Sequence, residues 1–171
     1  MNRGVLLDVA SYVNRNMDPL PAGFDITGEH LERTAHHQGV RIRRGDTVLV
    51  RTGWGKLFTM DPATYKGDAA AGVGVAGARH LVRQKPAVVG ADTLTFEVRP
   101  PIAGTPGASD FEVFPVHMIV IADHGINIIE NYFLEEIAEK QDYEFLLVVP
   151  PIKIRGGTGS ALRSFALVPK S

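Results

Sequence analysis

Apolar residues along this chain come in short runs separated by glycine, proline and charged clusters, and the runs alternate between strand-like and helix-like spacing. GVLLDVA (4–10) has the β-branched and leucine content of a buried strand. DITGEHLERTAHHQG (25–39) reads as a helix: Thr27 is placed to cap it, Leu31 and Ala35 lie one turn apart, and Gly39 ends it. A Gly-Asp turn then leads into the strand TVLVRTG (47–53), and residues 56–73 read as a loop. GVAGARHLVRQK (74–85) is a helix with Leu81 and Val82 as apolar contacts, and PAVVGADT (86–93) is a buried strand with a polar tip. Residues 97–115 hold four prolines and read as a long loop, a length that in compact domains usually signals function or disorder.

The run VHMIVIADHG (116–125) fits helix or strand by its length; a helix ended by Gly125 and followed by the strand INIIEN (126–131) is favoured. YFLEEIAEKQ (132–141) reads as a helix with its acidic residues towards the N-terminus, as the helix dipole prefers. YEFLLVVPPIKI (143–154) is a strand stopped by Pro150 and Pro151, and RGGTGSALRSFALV (155–168) is a glycine-rich turn feeding a last strand. Strands and helices alternating at short spacing predict an α/β domain with a mixed sheet. The 171 residues suit a single domain over 1–171.

Composition narrows the function classes. A net charge of −1 gives no field that favours nucleic acid or an anionic membrane, and no apolar run is long enough to span a bilayer. The absence of cysteine excludes disulfides and thiolate chemistry and fits a cytoplasmic location.

Candidate chemistry concentrates at predicted strand ends. If the chain reverses at Gly125, His117 and Glu130 meet, and an imidazole beside a carboxylate suits a divalent metal or a base with its orienting partner. The same pair also fits a partly buried histidine and an unrelated strand-end glutamate. Asp92 follows a buried strand, where open α/β sheets place ligand-contacting groups, and a turn aspartate fits equally. Thr52 and Trp54 repeat that placement after another strand. Trp54 suits a pocket wall or the core. RGGTGS (155–160) lacks the P-loop lysine and precedes a strand, so it reads as a tight turn. His36 and His37 are adjacent and diverge on a helix; His30, His80 and His124 read as surface or cap residues.

Taken in order, RGVLLDVA, GDTVLVRTGWG, VVGADT, FPVHMIVIADHGINIIEN and EFLLVVPPIKIRGGTGSALRSFAL resemble the cyclase family of metal-dependent hydrolases, which includes bacterial arylformamidase and isatin hydrolase. The resemblance implies a swivelling β/β/α domain, a homo-oligomer (a dimer or higher), and hydrolysis of a small amide or lactam at Zn or Mn. It assigns His117 and Glu130 to the metal centre and places Thr52, Trp54, Asp92 and Phe114 around the substrate; Trp54 and Phe114 favour an aromatic or flat acyl group. Family members also carry HxGTHxDxPxH ahead of the stretch equivalent to RGVLLDVA. Here that stretch begins at residue 3, and the motif occurs nowhere in the chain.

Two donors fall short of the three protein ligands plus water of a hydrolytic centre. The first expectation is therefore an N-terminally shortened relative that keeps the pocket floor and half the metal shell, with little or no activity alone and either Zn or Mn or no metal bound. In the second, another chain or local residues (Asp92, Asp110, His124, with Glu112 on the same loop as Asp110) complete an active site. A third is a small-ligand or protein-binding module on the same fold.

Overall fold

A computed structural model describes residues 1–100 and 114–168. Strand β1 (Asn2–Asp8) runs into helix α1 (Val9–Asn14), and the short β2 (Asp25–Ile26) precedes α2 (Gly28–Gln38). Strand β3 (Thr47–Arg51), a 3-10 turn at Trp54–Lys56, α3 (Leu57–Met60), α4 (Pro62–Lys66) and β4 (Gly72–Val73) follow. Next come α5 (Val75–Arg83), β5 (Val88–Ala91), the single turn α6 (Pro115–His117), a π-helical stretch at Met118–Asp123 and β6 (Asn127–Ile129). Helix α7 (Glu135–Glu139) and strands β7 (Glu144–Val148) and β8 (Phe165–Leu167) end the described chain.

Six strands form one sheet in the order β6-β5-β3-β1-β7-β8, while β2 and β4 pair separately. β1, β3, β5 and β6 are mutually parallel, with Val5 opposite Val48, Val48 opposite Val89 and Val89 opposite Ile128. β7 and β8 add antiparallel. The result is the mixed α/β sheet that the alternating pattern predicts.

The two-residue period of a strand divides the core. Val5, Leu7, Val48, Val50, Val89 and Ala91 face one cluster with Leu31 of α2 and Leu81 of α5. Leu6 and Leu49 face the other, with Leu134, Ala138 and Phe145. Helix α2 forms as its sequence dictates. The Thr27 hydroxyl accepts the His30 backbone N–H, the His30 ring accepts the Thr27 backbone N–H, and Gly39 closes the helix at φ +68°.

Four expectations are corrected. The stretch 56–73 is not a loop: Asp61 caps α4 by accepting the Thr64 N–H, Pro62 occupies its first turn, and Tyr65 is buried from it. Asp8 likewise caps an unexpected α1, accepting the Ser11 N–H at 3.1 Å. Helix 132–141 is shortened to α7 because Asn131 takes φ +59° and Tyr132 bonds Ala91 at 3.1 Å, carrying the chain past the end of β5. The helix at 116–124 is mostly π-helical and ends at Gly125 with φ +64°. Most of the 97–115 stretch, including Asp110 and Glu112, lies outside the described residues. Among the described residues, no helix is long and apolar enough to cross a membrane.

Candidate functional site

Parallel strands bring their C-terminal ends to one edge of the sheet, and there Asp8, Thr52, Asp92 and Glu130 end β1 or directly follow β3, β5 and β6. They divide into two groups. Asp92 and Thr52 are fully buried and bond each other: one Asp92 oxygen accepts the Thr52 N–H at 2.9 Å and hydroxyl at 2.8 Å, and the other accepts Gly55 N–H at 3.3 Å. Burial pushes the Asp92 pKa up, against these bonds and the nearby Arg51 charge. This arrangement ties β3 to β5. Trp54 is 2% exposed and donates its indole N–H to the Leu20 carbonyl at 2.9 Å. These three residues, expected as pocket walls, sit in the interior because each finds its polar partners there.

Glu130 belongs to the second group. The turn at Gly125 folds β6 back beside the helical segment, and His117 Nε2 lies 3.3 Å from Glu130 Oε1. The other ring nitrogen, Nδ1, pairs with Oε2 of Glu97. Glu97 is 1% exposed, and its two oxygens also accept the backbone N–H groups of Val116 (3.2 Å) and His117 (3.1 Å). The imidazole therefore sits between two carboxylates. Burial opposes its charge, but bonds to Glu130 and Glu97 outweigh that and raise its pKa to about 9. Phe114, 42% exposed, packs its ring 5.2 Å from the His117 ring.

Glu97 is the residue that sequence reasoning misses. It falls where a strand-like segment enters the proline-rich stretch, and nothing in EVRPP marks a buried acid. A charged residue between Phe96 and Val98, both buried, is the one available sign: an acid on a buried segment needs a partner.

His117 and Glu130 open on a cleft of about 560 Å³, whose other walls include Ile121, Tyr132, Thr158 and Ser160. The RGGTGS turn thus contributes a wall. Asn131 also reaches this cleft, and its side-chain carbonyl accepts the hydroxyl of the buried Tyr65 at 2.8 Å. Burial, with Asp92 and Glu130 nearby, raises the Tyr65 pKa to about 12, so the phenol remains a donor.

Of the supplementary donors considered from sequence, Asp92 and His124 lie among the described residues and do not join the pair. Asp92 is consumed by Thr52 and Gly55, and His124 bonds the Ile119 carbonyl at 2.7 Å. Among the described residues, no group of three or more His, Cys, Asp or Glu is arranged to hold a metal ion. The pair itself fits one. A separation of 3.3 Å is what two donors show on a tetrahedral ion with bonds of about 2.0–2.2 Å, and a carboxylate on the far ring nitrogen is the usual support of a ligating histidine.

The Cyclase family model matches residues 1–98, more than half of the chain. A crystal structure of a novel cyclase is similar over 96% of this chain and 52% of its own, with TM-score 0.80 and 29% identity. Isatin hydrolase A from Labrenzia aggregata, bound to benzyl benzoate, matches 99% of this chain and 61% of its own, with TM-score 0.75 and 24% identity. A protein described as a predicted metal-dependent hydrolase from Bacillus stearothermophilus matches 96% and 62%, with TM-score 0.66 and 22% identity. The chain thus spans roughly half to two thirds of these solved structures. None of the curated proteins matches it.

Proposed function

This chain belongs to the cyclase family, and from that premise we propose that it carries the His–Glu part of a divalent metal centre for hydrolysis of an amide or lactam C–N bond. The observation that carries the reading is the His117–Glu130 pair, 3.3 Å apart at the cleft, with Glu97 on the opposite side of the ring. His117 Nε2 and Glu130 would hold the ion, with Zn or Mn the candidates that their nitrogen and oxygen donors suit. Bound there, a divalent ion supplies Lewis acidity, polarising a carbonyl and acidifying water.

The chain's own residues do the rest. The His117 ring, whose pKa is raised to about 9, must lose a proton before Nε2 can ligate, so metal affinity should rise with pH. Phe114 beside His117 and the Tyr132 wall favour a flat acyl group or aromatic amide in the cleft. Asn131 offers its side-chain amide as a polar contact at the same mouth. Two donors are fewer than the three of a catalytic centre, so the reading needs a further donor beyond this pair, from another chain or from local residues, and the pair by itself would turn over amides weakly.

Calorimetric titration with zinc or manganese, paired with a formyl-amide hydrolysis assay, tests this. The expected result is weak binding that H117A abolishes, with little turnover. Binding unaltered in H117A would end the metal assignment. Tight stoichiometric binding with full turnover would instead show the site to be complete in this chain.

A further inference from the structure

We propose that Glu97 is a positioning residue for this centre: it holds the His117 ring with its proton on Nδ1, so that Nε2 presents its lone pair beside Glu130. The proposal rests on the metal-dependent reading above. It starts from how firmly the carboxylate is fixed. Strand β4 grips the backbone around Glu97 from both sides, with Val73 N–H donating to Phe96 O at 3.0 Å and Val98 N–H to Val73 O at 3.2 Å. Gly72 makes that approach feasible, since a Cβ there would overlap the Glu97 carbonyl carbon. A residue held so closely has few ways to aim its side chain.

That side chain is fixed at its other end too. One oxygen accepts Val116 N–H, the other accepts His117 N–H and faces Nδ1 of the same histidine. Two consecutive backbone donors prevent the carboxylate from swinging, so the oxygen at Nδ1 stays in place. An ionised carboxylate only accepts, so the ring nitrogen facing it must carry the proton. In a neutral imidazole the hydrogen bond at one nitrogen decides the protonation of the other. Nε2 also faces a carboxylate, but Glu130 stands 3.3 Å away on a partly exposed side chain, whereas the Glu97 contact is shorter and buried, so the one proton of the neutral ring stays at Nδ1 and Nε2 is left bare towards the cleft. A plain helix-capping glutamate would need neither the ring contact nor burial to 1% exposure.

The test compares wild type, E97A, E97L, H117A and E97A/H117A by two measurements. The first is ring ¹⁵N shifts of His117 at alkaline pH, where the imidazole is neutral. Wild type should show a protonated Nδ1 and a bare Nε2, and E97A should shift towards protonated Nε2. The second is titration with Zn²⁺ alone, where E97A should weaken affinity by about 10–100-fold and have no further effect once His117 is Ala. If E97A does not fold, E97L, which fills the space without an acceptor, carries both readings. An unchanged tautomer, or an equal loss of Zn²⁺ affinity with and without His117, overturns the proposal. Wild type that binds no Zn²⁺ would sink the metal reading instead, and the ring shifts would still decide the role of Glu97.

Discussion

Arg51 and Glu135 meet through two parallel hydrogen bonds, Nε to Oε1 at 2.9 Å and NH2 to Oε2 at 2.6 Å, in the protein interior. Arg51 is fully buried, and its remaining terminal nitrogen donates to Asp8 at 2.7 Å. One guanidinium therefore joins the end of β1, the end of β3 and the first turn of α7. Its planar fork suits this bidentate geometry as an ammonium would not. Replacing Arg51 by Leu leaves Asp8 without a cation and Glu135 with only Lys56, 3.5 Å away, and should cost about 3–5 kcal/mol. Urea denaturation would show this as a lower midpoint at constant slope. A loss below about 1 kcal/mol, the range of exposed pairs, would contradict the buried network.

The His117 environment predicts a pH dependence with a definite sign. Burial opposes the charge, but bonds to Glu130 and Glu97 lift the pKa from 6.5 to about 9. A raised native pKa stabilises the fold fully below the unfolded value, and that stabilisation fades as pH climbs through the native one. Metal-free protein should therefore lose stability between pH 6.5 and about 9, and H117Q should lose much less over that interval. Melting temperatures of both proteins across this range check it; parallel curves would show that the carboxylates do not hold the imidazolium.

Asp92 separates scaffold from site. Its oxygens accept three bonds from Thr52 and Gly55 in full burial, away from the cleft. In D92N one oxygen becomes an NH2 group facing a donor, which should cost about 1–3 kcal/mol. Zn²⁺ affinity, measured alongside, should stay near that of wild type. A large drop in affinity with little change in stability would place Asp92 in the site after all.

The legible features were those encoded by local rules. Thr27 and Gly39 mark α2 at both ends, and the apolar runs of β1, β3 and β5 are too short and too rich in branched residues for helices. The Gly125 reversal that joins His117 to Glu130 is local as well. Asp61-Pro62 was an equally good local signal for α4, obscured by the glycine and alanine around it. Glu97 was not legible, because its partners lie about twenty residues along the chain and its position is set by β4, a two-residue strand with no periodicity to detect. Trp54 stayed open between pocket wall and core for a related reason: which of the two an indole takes depends on a distant carbonyl, here that of Leu20.

The dependence of Glu97 on β4 yields a prediction with an internal control. A Cβ at Gly72 would overlap the Glu97 carbonyl carbon and the Val98 nitrogen, backbone atoms that cannot rotate away. A Cβ at Gly4 would overlap the Phe145 ring, on the β1–β7 side of the sheet and three strands away from β6. Both G72A and G4A overpack the interior and should cost about 1–3 kcal/mol. Only G72A should displace the backbone that carries Glu97, so only G72A should shift the His117 ring resonances and weaken Zn²⁺ binding. Comparable shifts of those resonances in both variants would mean that the ring senses general loosening of the fold, and that β4 has no special hold on the site.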